Sequence, residues 1–163
     1  MTSRAETLVT LARQRAAMIA TAESCTGGMV AAAITDVPGA SNIFDRGFVT
    51  YSNAAKQASL GVRAETLAAH GAVSEPVAIE MAEGALTHSD AELAVAITGI
   101  AGPGGSEHKP EGRVCFAVAR RGRAPISETV DFGALGRAGV RAASRDHALD
   151  LLIGRLRSET LTV

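Results

Sequence analysis

A short turn rich in glycine and hydroxyl side chains is the first segment whose residue types suit ligand binding. Residues 23–28 read Glu-Ser-Cys-Thr-Gly-Gly and connect a predicted buried strand at 18–22 to a predicted helix at 29–35. Glycines after a strand let a ligand approach the backbone, and the N–H groups that open a helix favour an anion. Ser24, Thr26, Gly27 and Gly28 therefore form a candidate binding site. The alternative is a tight turn with hydroxyl caps, because the pattern matches neither a P-loop nor G-x-G-x-x-G.

Cys25, inside this turn, offers a different chemistry. A thiol at the N-terminus of a helix can have a lowered pKa and act as a nucleophile. No histidine stands near Cys25 in the sequence, and small buried cysteines are common. A thiol-dependent amidase is kept as an alternative reading of the chain.

Ser41, Tyr51 and Lys56 form the second candidate constellation. The chain uses arginine for most of its positive charge and has only two lysines, Lys56 and Lys109. Unlike arginine, a buried lysine can lose its proton near neutral pH and then activate a hydroxyl, directly or through a phenol. Ser41 follows a Pro-Gly turn and could begin a helical turn of its own. The alternative is that Ser41 is a cap, Tyr51 a half-buried strand residue and Lys56 a solvated side chain.

The third candidate is a long loop that follows a continuous apolar strand at residues 93–98. Residues 99–112 are rich in glycine and proline, and loops of this length in compact domains are commonly functional. Thr98 ends the strand, where its hydroxyl could reach a ligand, and Gly99 and Gly102 follow. Lys109 reads as a solvated loop charge, and the alternative for the whole loop is a surface crossover.

Basic residues at helical spacing form the last candidate. Arg137, Arg141 and Arg145 recur every four residues on one face of the predicted final helix, so that one of them could hold a phosphate. A solvated arginine stripe is the alternative. The histidines are scattered and fit no metal-ligand spacing; they are His70, His88, His108 and His147.

Alternating strands and helices must position these residues. The predicted strands cover residues 18–22, 46–51, 93–98, 114–119 and 126–132. The predicted helices cover residues 3–16, 29–35, 53–60, 63–69, 74–87 and 137–156. Because the apolar strands lack strict alternation, both faces of the sheet must be covered. We therefore predict one α/β domain over residues 1–163, with three α/β/α layers and a mixed sheet of about five strands.

Length and composition exclude several classes of protein. The chain has 163 residues, 47% hydrophobic and 20% charged, with a formal net charge of −1. This composition excludes disorder, and the balanced charge with 3% aromatic residues argues against a nucleic-acid-binding protein. No apolar run reaches the ~20 residues of a membrane span, so no membrane partner is expected. Two cysteines without a metal or disulfide spacing favour the cytoplasm, and alanine-rich apolar helices favour a homo-oligomer.

Four blocks of the sequence resemble those of a known family. They are residues 21–28 (TAESCTGG), 47–56 (GFVTYSNAAK), 71–75 (GAVSE) and 98–103 (TGIAGP). Together, and in this order, they resemble the CinA C-terminal domain family of PncC-type nicotinamide-nucleotide amidohydrolases. Longer members carry a further N-terminal domain, and this chain looks like the stand-alone form.

The resemblance implies hydrolysis of the carboxamide of nicotinamide mononucleotide, a small-molecule nucleotide, in the cytoplasm and without metal or other cofactor. The residues of this chain that match the family's site are Ser41 as nucleophile, Tyr51 and Lys56 as its partners, and Ser24, Thr98 and Arg141 as binding residues. Two alternatives remain at this stage: the Cys25 amidase, and a nucleotide-binding module without catalysis.

Overall fold

Strands and helices alternate along the chain at nearly the positions that the sequence pattern predicts. A computed structural model describes residues 1–106 and 108–159. The helices are α1 (Arg4–Arg15), α2 (Met29–Thr35), α3 (Asn53–Leu60), α4 (Ala64–His70), α5 (Glu75–Thr87) and α6 (Gly136–Ser158), with a 3-10 turn at Ala40–Asn42. The strands are β1 (Ile19–Glu23), β2 (Phe44–Val49), β3 (Leu93–Gly99), β4 (Arg113–Arg120) and β5 (Ile126–Asp131).

The five strands form one mixed sheet in the order β2-β1-β3-β4-β5. Strand β1 pairs in parallel with both β2 and β3, whereas β4 is antiparallel to β3 and β5. The carboxyl ends of β1, β2 and β3 therefore meet at one edge of the sheet. The connection from β1 runs through α2 to β2 on one side of β1, and the connection from β2 runs through α3, α4 and α5 to β3 on its other side. Such a point is where open α/β sheets bind ligands.

Helices cover both faces of the sheet, which confirms the predicted three-layer α/β/α architecture. On one face α1, α2 and α6 pack against the sheet through side chains such as Leu8, Val30 and Leu152. On the other face α3 and α5 do so through Leu60 and Met81. All residues of β1, and six of the seven in β3, are buried, which explains why neither strand shows strict alternation of apolar and polar residues.

Local signals account for several element ends. Helix α1 begins at the capping box that Ser3 and Glu6 predict, with both reciprocal hydrogen bonds formed. Helix α2 begins after Gly27 and Gly28, whose φ angles of 58° and 105° favour glycine. None of the helices in the described residues is long and apolar enough to cross a membrane.

Candidate functional site

A cavity of about 350 Å³ opens at the edge where β1, β2 and β3 end. Segments from separate parts of the chain line it: the turn after β1, the start of α3, the 72–73 connection, the glycine-rich loop after β3 and the first turn of α6. The lining residues with side chains that could do chemistry are Ser24, Cys25, Tyr51, Asn53, Lys56, Thr98, Ser106 and Arg137. The fold thus brings together parts of all four candidate segments.

The central contact of the cavity joins Lys56 to Ser24. Lys56 Nζ lies 2.9 Å from Ser24 Oγ and donates a hydrogen bond to the backbone carbonyl of Thr50, also at 2.9 Å. Lys56 is 2% exposed and Ser24 is 8% exposed. Helix α3 carries the lysine into this position because Ser52 caps its first turn and Leu60 anchors its last turn in the core.

Burial makes the Lys56 amine easier to deprotonate. Loss of solvation lowers the pKa of Lys56 from its ordinary value. A nearby carboxylate would stabilise the ammonium ion and raise this pKa, but in the described chain no carboxylate oxygen lies within 4.0 Å of Lys56 Nζ. Because a carbonyl can only accept, one N–H of Lys56 is directed at Thr50, and the lone pair of a neutral amine can then accept the Ser24 proton.

The structure does not place Ser41 in the cavity. Ser41 is exposed in the 3-10 turn that precedes β2, whereas Tyr51 and Lys56 follow that strand. The six residues of β2 at ~3.3 Å each place Ser41 roughly 20 Å from the cavity, at the opposite edge of the sheet. The serine beside Lys56 is Ser24, which the sequence analysis gave a binding role.

Tyr51 lies at the rim of the cavity rather than between serine and lysine. Its side chain is 56% exposed, and its hydroxyl accepts a hydrogen bond from Arg137. The same guanidinium donates to the carbonyl of Gly102 at 2.8 Å. The predicted proton relay through Tyr51 is therefore not formed, because Lys56 contacts Ser24 directly.

Of the three arginines on α6, the structure places Arg137 in the cavity wall and not Arg141. The Arg141 guanidinium donates to the carbonyls of Cys25 and Thr26, and thus supports the turn from outside. Arg145 lies further along α6 and pairs with Asp146. The first turn of α6 is the part of that helix that borders the cavity, so Arg137 and not Arg141 lines it.

The turn after β1 is a support for Ser24 rather than an anion site. Thr26 is fully buried and donates its hydroxyl to Glu23 Oε1 at 2.7 Å, so it does not face the cavity. The Glu23 carboxylate also accepts the N–H groups of Val30 and Ala31 at the start of α2. Gly27 and Gly28 form the bend but do not line the cavity. The predicted binding roles of Thr26, Gly27 and Gly28 are therefore not supported.

Cys25 is buried and poorly suited to nucleophilic attack. Its side chain packs in the core layer beneath α2 and α6 and is 3% exposed. Burial raises the pKa of the Cys25 thiol to about 11. The thiolate, which is the reactive form, is therefore scarce near neutral pH.

The glycine-rich loop forms one wall of the cavity, as predicted. Thr98 ends the buried part of β3 and donates its hydroxyl to the carbonyl of Ala72 at 2.9 Å. A Cβ on Gly99 would lie 2.7 Å from Val114, and a Cβ on Gly102 would overlap the Glu111 carboxylate. The glycines therefore allow close packing of the wall, and Thr98 and Ser106 are the residues of this segment that line the cavity with hydroxyl side chains.

Lys109 has a structural contact that its sequence position did not reveal. Its Nζ donates to the carbonyls of His70, at 2.8 Å, and Val73, at 2.6 Å. The side chain thereby ties the glycine-rich loop to the α4–α5 connection.

Two residues were given no role by the sequence analysis: Asn53, which lines the cavity from the start of α3, and Glu23, which caps α2. The described residues contain no cluster of three or more His, Cys, Asp or Glu side chains that could hold a metal ion.

Comparison with known proteins gives consistent relatives for this architecture. The family model described as the CinA C-terminal domain matches residues 1–156. A nicotinamide-nucleotide amidohydrolase, PncC, from Escherichia coli K12 is 64% identical over 108 residues, which are 66% of this chain and 66% of that protein. A relative from Symbiobacterium thermophilum is 63% identical over 114 residues, 69% of this chain and 27% of that protein.

Solved structures agree over nearly the whole chain. The competence/damage inducible protein CihA from Agrobacterium tumefaciens superposes with a TM-score of 0.91 at 46% identity, covering 95% of this chain and 94% of that one. A CinA superfamily protein from Klebsiella pneumoniae gives 0.89 at 39% identity, covering 96% and 99%. The aligned segments span from about a quarter to two-thirds of the first curated relatives.

Proposed function

This chain belongs to the CinA C-terminal domain family, and from that premise we propose that it hydrolyses the carboxamide of nicotinamide mononucleotide to nicotinic acid mononucleotide and ammonia. The similarity to the Escherichia coli amidohydrolase supports the substrate class. The observation that carries the mechanism is the buried pair formed by Lys56 Nζ and Ser24 Oγ, 2.9 Å apart at the wall of a cavity.

Acylation begins when Ser24 Oγ attacks the carboxamide carbon. The neutral Lys56 amine takes the hydroxyl proton as the C–O bond forms, which gives a tetrahedral intermediate and a Lys56 ammonium. That ammonium then transfers its proton to the amide nitrogen. The C–N bond breaks, ammonia leaves with the bonding electron pair, and the nicotinoyl group remains on Ser24 as an ester.

Deacylation repeats the proton transfers with water. Lys56 accepts a proton from a water molecule as its oxygen attacks the ester carbonyl. The ammonium then returns that proton to Ser24 Oγ as the C–O bond to the enzyme breaks. The products are the free acid and an unmodified serine, so that one water is consumed for each ammonia released.

Arg137 is the residue we assign to the substrate's phosphate. Its guanidinium lines the cavity and is held by Tyr51 and Gly102, so it presents fixed donors to an anion. Tyr51 then acts at the rim as a support for Arg137. This arrangement favours the nucleotide over free nicotinamide, which carries no phosphate.

Two alternatives from the sequence fit the structure less well. A Cys25 enzyme would need a thiolate, whereas burial holds the thiol pKa at about 11. A binding module without catalysis would not need a lysine amine buried against a serine hydroxyl, because burying an ionisable group has a substantial free-energy cost. The Ser24–Lys56 enzyme is therefore the function that the geometry supports best.

Two serine substitutions test the proposal directly. We expect Ser24→Ala to lower ammonia release from nicotinamide mononucleotide by at least about 100-fold, because it removes the nucleophile on which Lys56 acts and so forfeits at least the general acid–base contribution. The matched variant Ser41→Ala should stay within about threefold of the wild type, since Ser41 is exposed at the opposite edge. Ammonia release that depends on Ser41 and survives in Ser24→Ala would overturn the mechanism, and a wild-type chain that releases none would overturn the function.

A further inference from the structure

We infer that Thr98 recognises the amide nitrogen of the substrate and selects the amide over the carboxylate product. This inference rests on the proposed function and adds a source of specificity to the same cavity. It comes from the position of Thr98 beside Ser24 and from the direction in which its hydroxyl donates.

Ser24 and Thr98 occupy neighbouring positions on adjacent strands. Glu23 and Ile97 are register partners in the parallel β1–β3 pair, and the N–H of Ser24 extends the ladder by donating to the carbonyl of Ile97 at 2.9 Å. The residue that follows Glu23 is Ser24, and the residue that follows Ile97 is Thr98, so these two residues are also neighbours across the two strands. Neighbouring strands lie ~4.8 Å apart, so a carboxamide attacked by Ser24 lies next to Thr98.

Both side chains point to the same side of the sheet. Ala22 on β1 and Ala96 on β3 pack in the layer under α5, and side chains alternate along a strand. Ser24 and Thr98, two residues further along their strands, thus face the side from which Lys56 enters on α3. Both line the same cavity.

The Thr98 hydroxyl can only accept a hydrogen bond from a ligand. Its single hydrogen is used in the bond to the Ala72 carbonyl at 2.9 Å, because a carbonyl oxygen cannot donate. Thr98 is 1% exposed, which restricts exchange of this bond for one to water. A ligand in the cavity can therefore interact with this hydroxyl by donating a hydrogen bond to the lone pairs of Thr98 Oγ1.

Because Thr98 Oγ1 can only accept a hydrogen bond from a ligand, it distinguishes the carboxamide of the substrate from the carboxylate of the product. The carboxamide has an NH2 group with two donors, whereas the carboxylate has acceptors alone. A carboxylate oxygen placed against Thr98 would bring two sets of lone pairs together. This selection has a clear use, because Arg137 is assigned to the phosphate, which substrate and product share, and so does not by itself favour release of the acid.

Equilibrium binding in a Ser24→Ala background tests the inference, because the amide is then not consumed. We compare the Kd values of nicotinamide mononucleotide and nicotinic acid mononucleotide in that chain, and again after adding Thr98→Val or Thr98→Ser. With Thr98 present the amide should bind more tightly than the acid. Thr98→Val, which keeps the shape and removes the oxygen, should reduce the ratio of acid Kd to amide Kd by about tenfold, and Thr98→Ser should preserve it within threefold.

A ratio unchanged by Thr98→Val, with both ligands weakened equally, would show that Thr98 only supports the 72–73 segment and would overturn the inference. The same conclusion follows if the acid binds as tightly as the amide when Thr98 is intact. Should Thr98→Val unfold, shown by loss of its cooperative thermal transition, Thr98→Ala gives the ratio in its place. Failure of the proposed function is a separate result, since it is measured as absent ammonia release by the wild-type chain.

Discussion

Lys56 is a residue that the fold removes from water without supplying a carboxylate to balance its charge. Its amine contacts a serine hydroxyl and a carbonyl, and these groups are compatible with a neutral amine. Removing the ammonium ion from water is costly, and this cost is what lowers the pKa of Lys56. At the scale of one residue, the free-energy cost of burial thus makes the Lys56 amine easier to deprotonate than an exposed lysine.

Replacing Lys56 by arginine separates the need for a base from the need for a positive charge. Arginine keeps the charge and the aliphatic chain but cannot lose its proton, so we expect Lys56→Arg to lower kcat by at least about 100-fold. Lys56→Met, which is smaller, should lose as much. The control is Lys109→Arg, expected within about threefold because a guanidinium can also donate to the two carbonyls that Lys109 contacts. The measurement is ammonia release under saturating nucleotide.

The pH profile of the wild type belongs to the same prediction. Since burial lowers the pKa of Lys56, the neutral fraction of its amine increases as the pH rises through that pKa. Turnover should rise with pH and reach a plateau, with a midpoint below the ordinary lysine value of ~10.4. A Lys56→Arg enzyme within a few-fold of the wild type, or a rate independent of pH, would contradict the role of Lys56 as a base.

At the scale of an element, the β1–α2 turn is built around one buried carboxylate. Glu23 accepts the Thr26 hydroxyl and two N–H groups of α2, and so binds the start of the helix to the end of the strand. Arg141 supports the same turn from α6 through two carbonyls. These contacts fix the backbone on both sides of Ser24, which is why the turn is rich in polar residues that do not reach the cavity.

Glu23→Gln should therefore destabilise the chain by about 1–3 kcal/mol. The amide group replaces one acceptor oxygen with a donor, so a buried N–H or hydroxyl in this turn loses its partner. The matched control is Glu6→Gln in the exposed capping box of α1, where glutamine serves as well as glutamate. We expect the control to change the free energy of unfolding by less than about 0.5 kcal/mol. Urea unfolding measures both variants, and an equal effect in the two would contradict the role assigned to Glu23.

At the scale of the whole molecule, the sequence predicts the layers well and the pairing of site residues less well. The bounds of α2 and α3 agree residue for residue with the spacing of apolar side chains, because a local pattern decides them. Ser41 lies away from the cavity because it precedes β2, whereas the cavity is at the other end of that strand. The sequence did contain that signal: a strand separates Ser41 from Lys56, while Ser24 and Lys56 both follow parallel strands.

The choice among the arginines of α6 could not be made from spacing. Arg137 and Arg141 share one face of the helix, and only the angle at which α6 crosses the sheet decides which reaches the edge. Likewise, the hydrogen bond from Thr98 to Ala72 joins segments 26 residues apart. Contacts of this kind depend on how layers pack, and a local pattern does not determine them.

Packing between helices also decides whether Lys56 reaches Ser24, and one glycine makes this testable. Gly84 on α5 has no room for a side chain, because a Cβ there would lie 2.0 Å from the carbonyl oxygen of Leu60 at the end of α3. Gly84→Ala must push α3 away from α5, and α3 carries Lys56. We expect a loss of stability of about 1–3 kcal/mol, as for other overpacked sites, together with a lower kcat.

Gly154 on α6 provides the matched control for Gly84. It is also a helical glycine, but a Cβ there would meet nothing within 4 Å. Alanine is the better helix former, so Gly154→Ala should stabilise the chain by about 0.5–1 kcal/mol and leave ammonia release unchanged. Thermal unfolding and ammonia release are measured on both variants. If Gly84→Ala were as stable and as active as Gly154→Ala, the close approach of α3 to α5 would not be what holds Lys56 against Ser24.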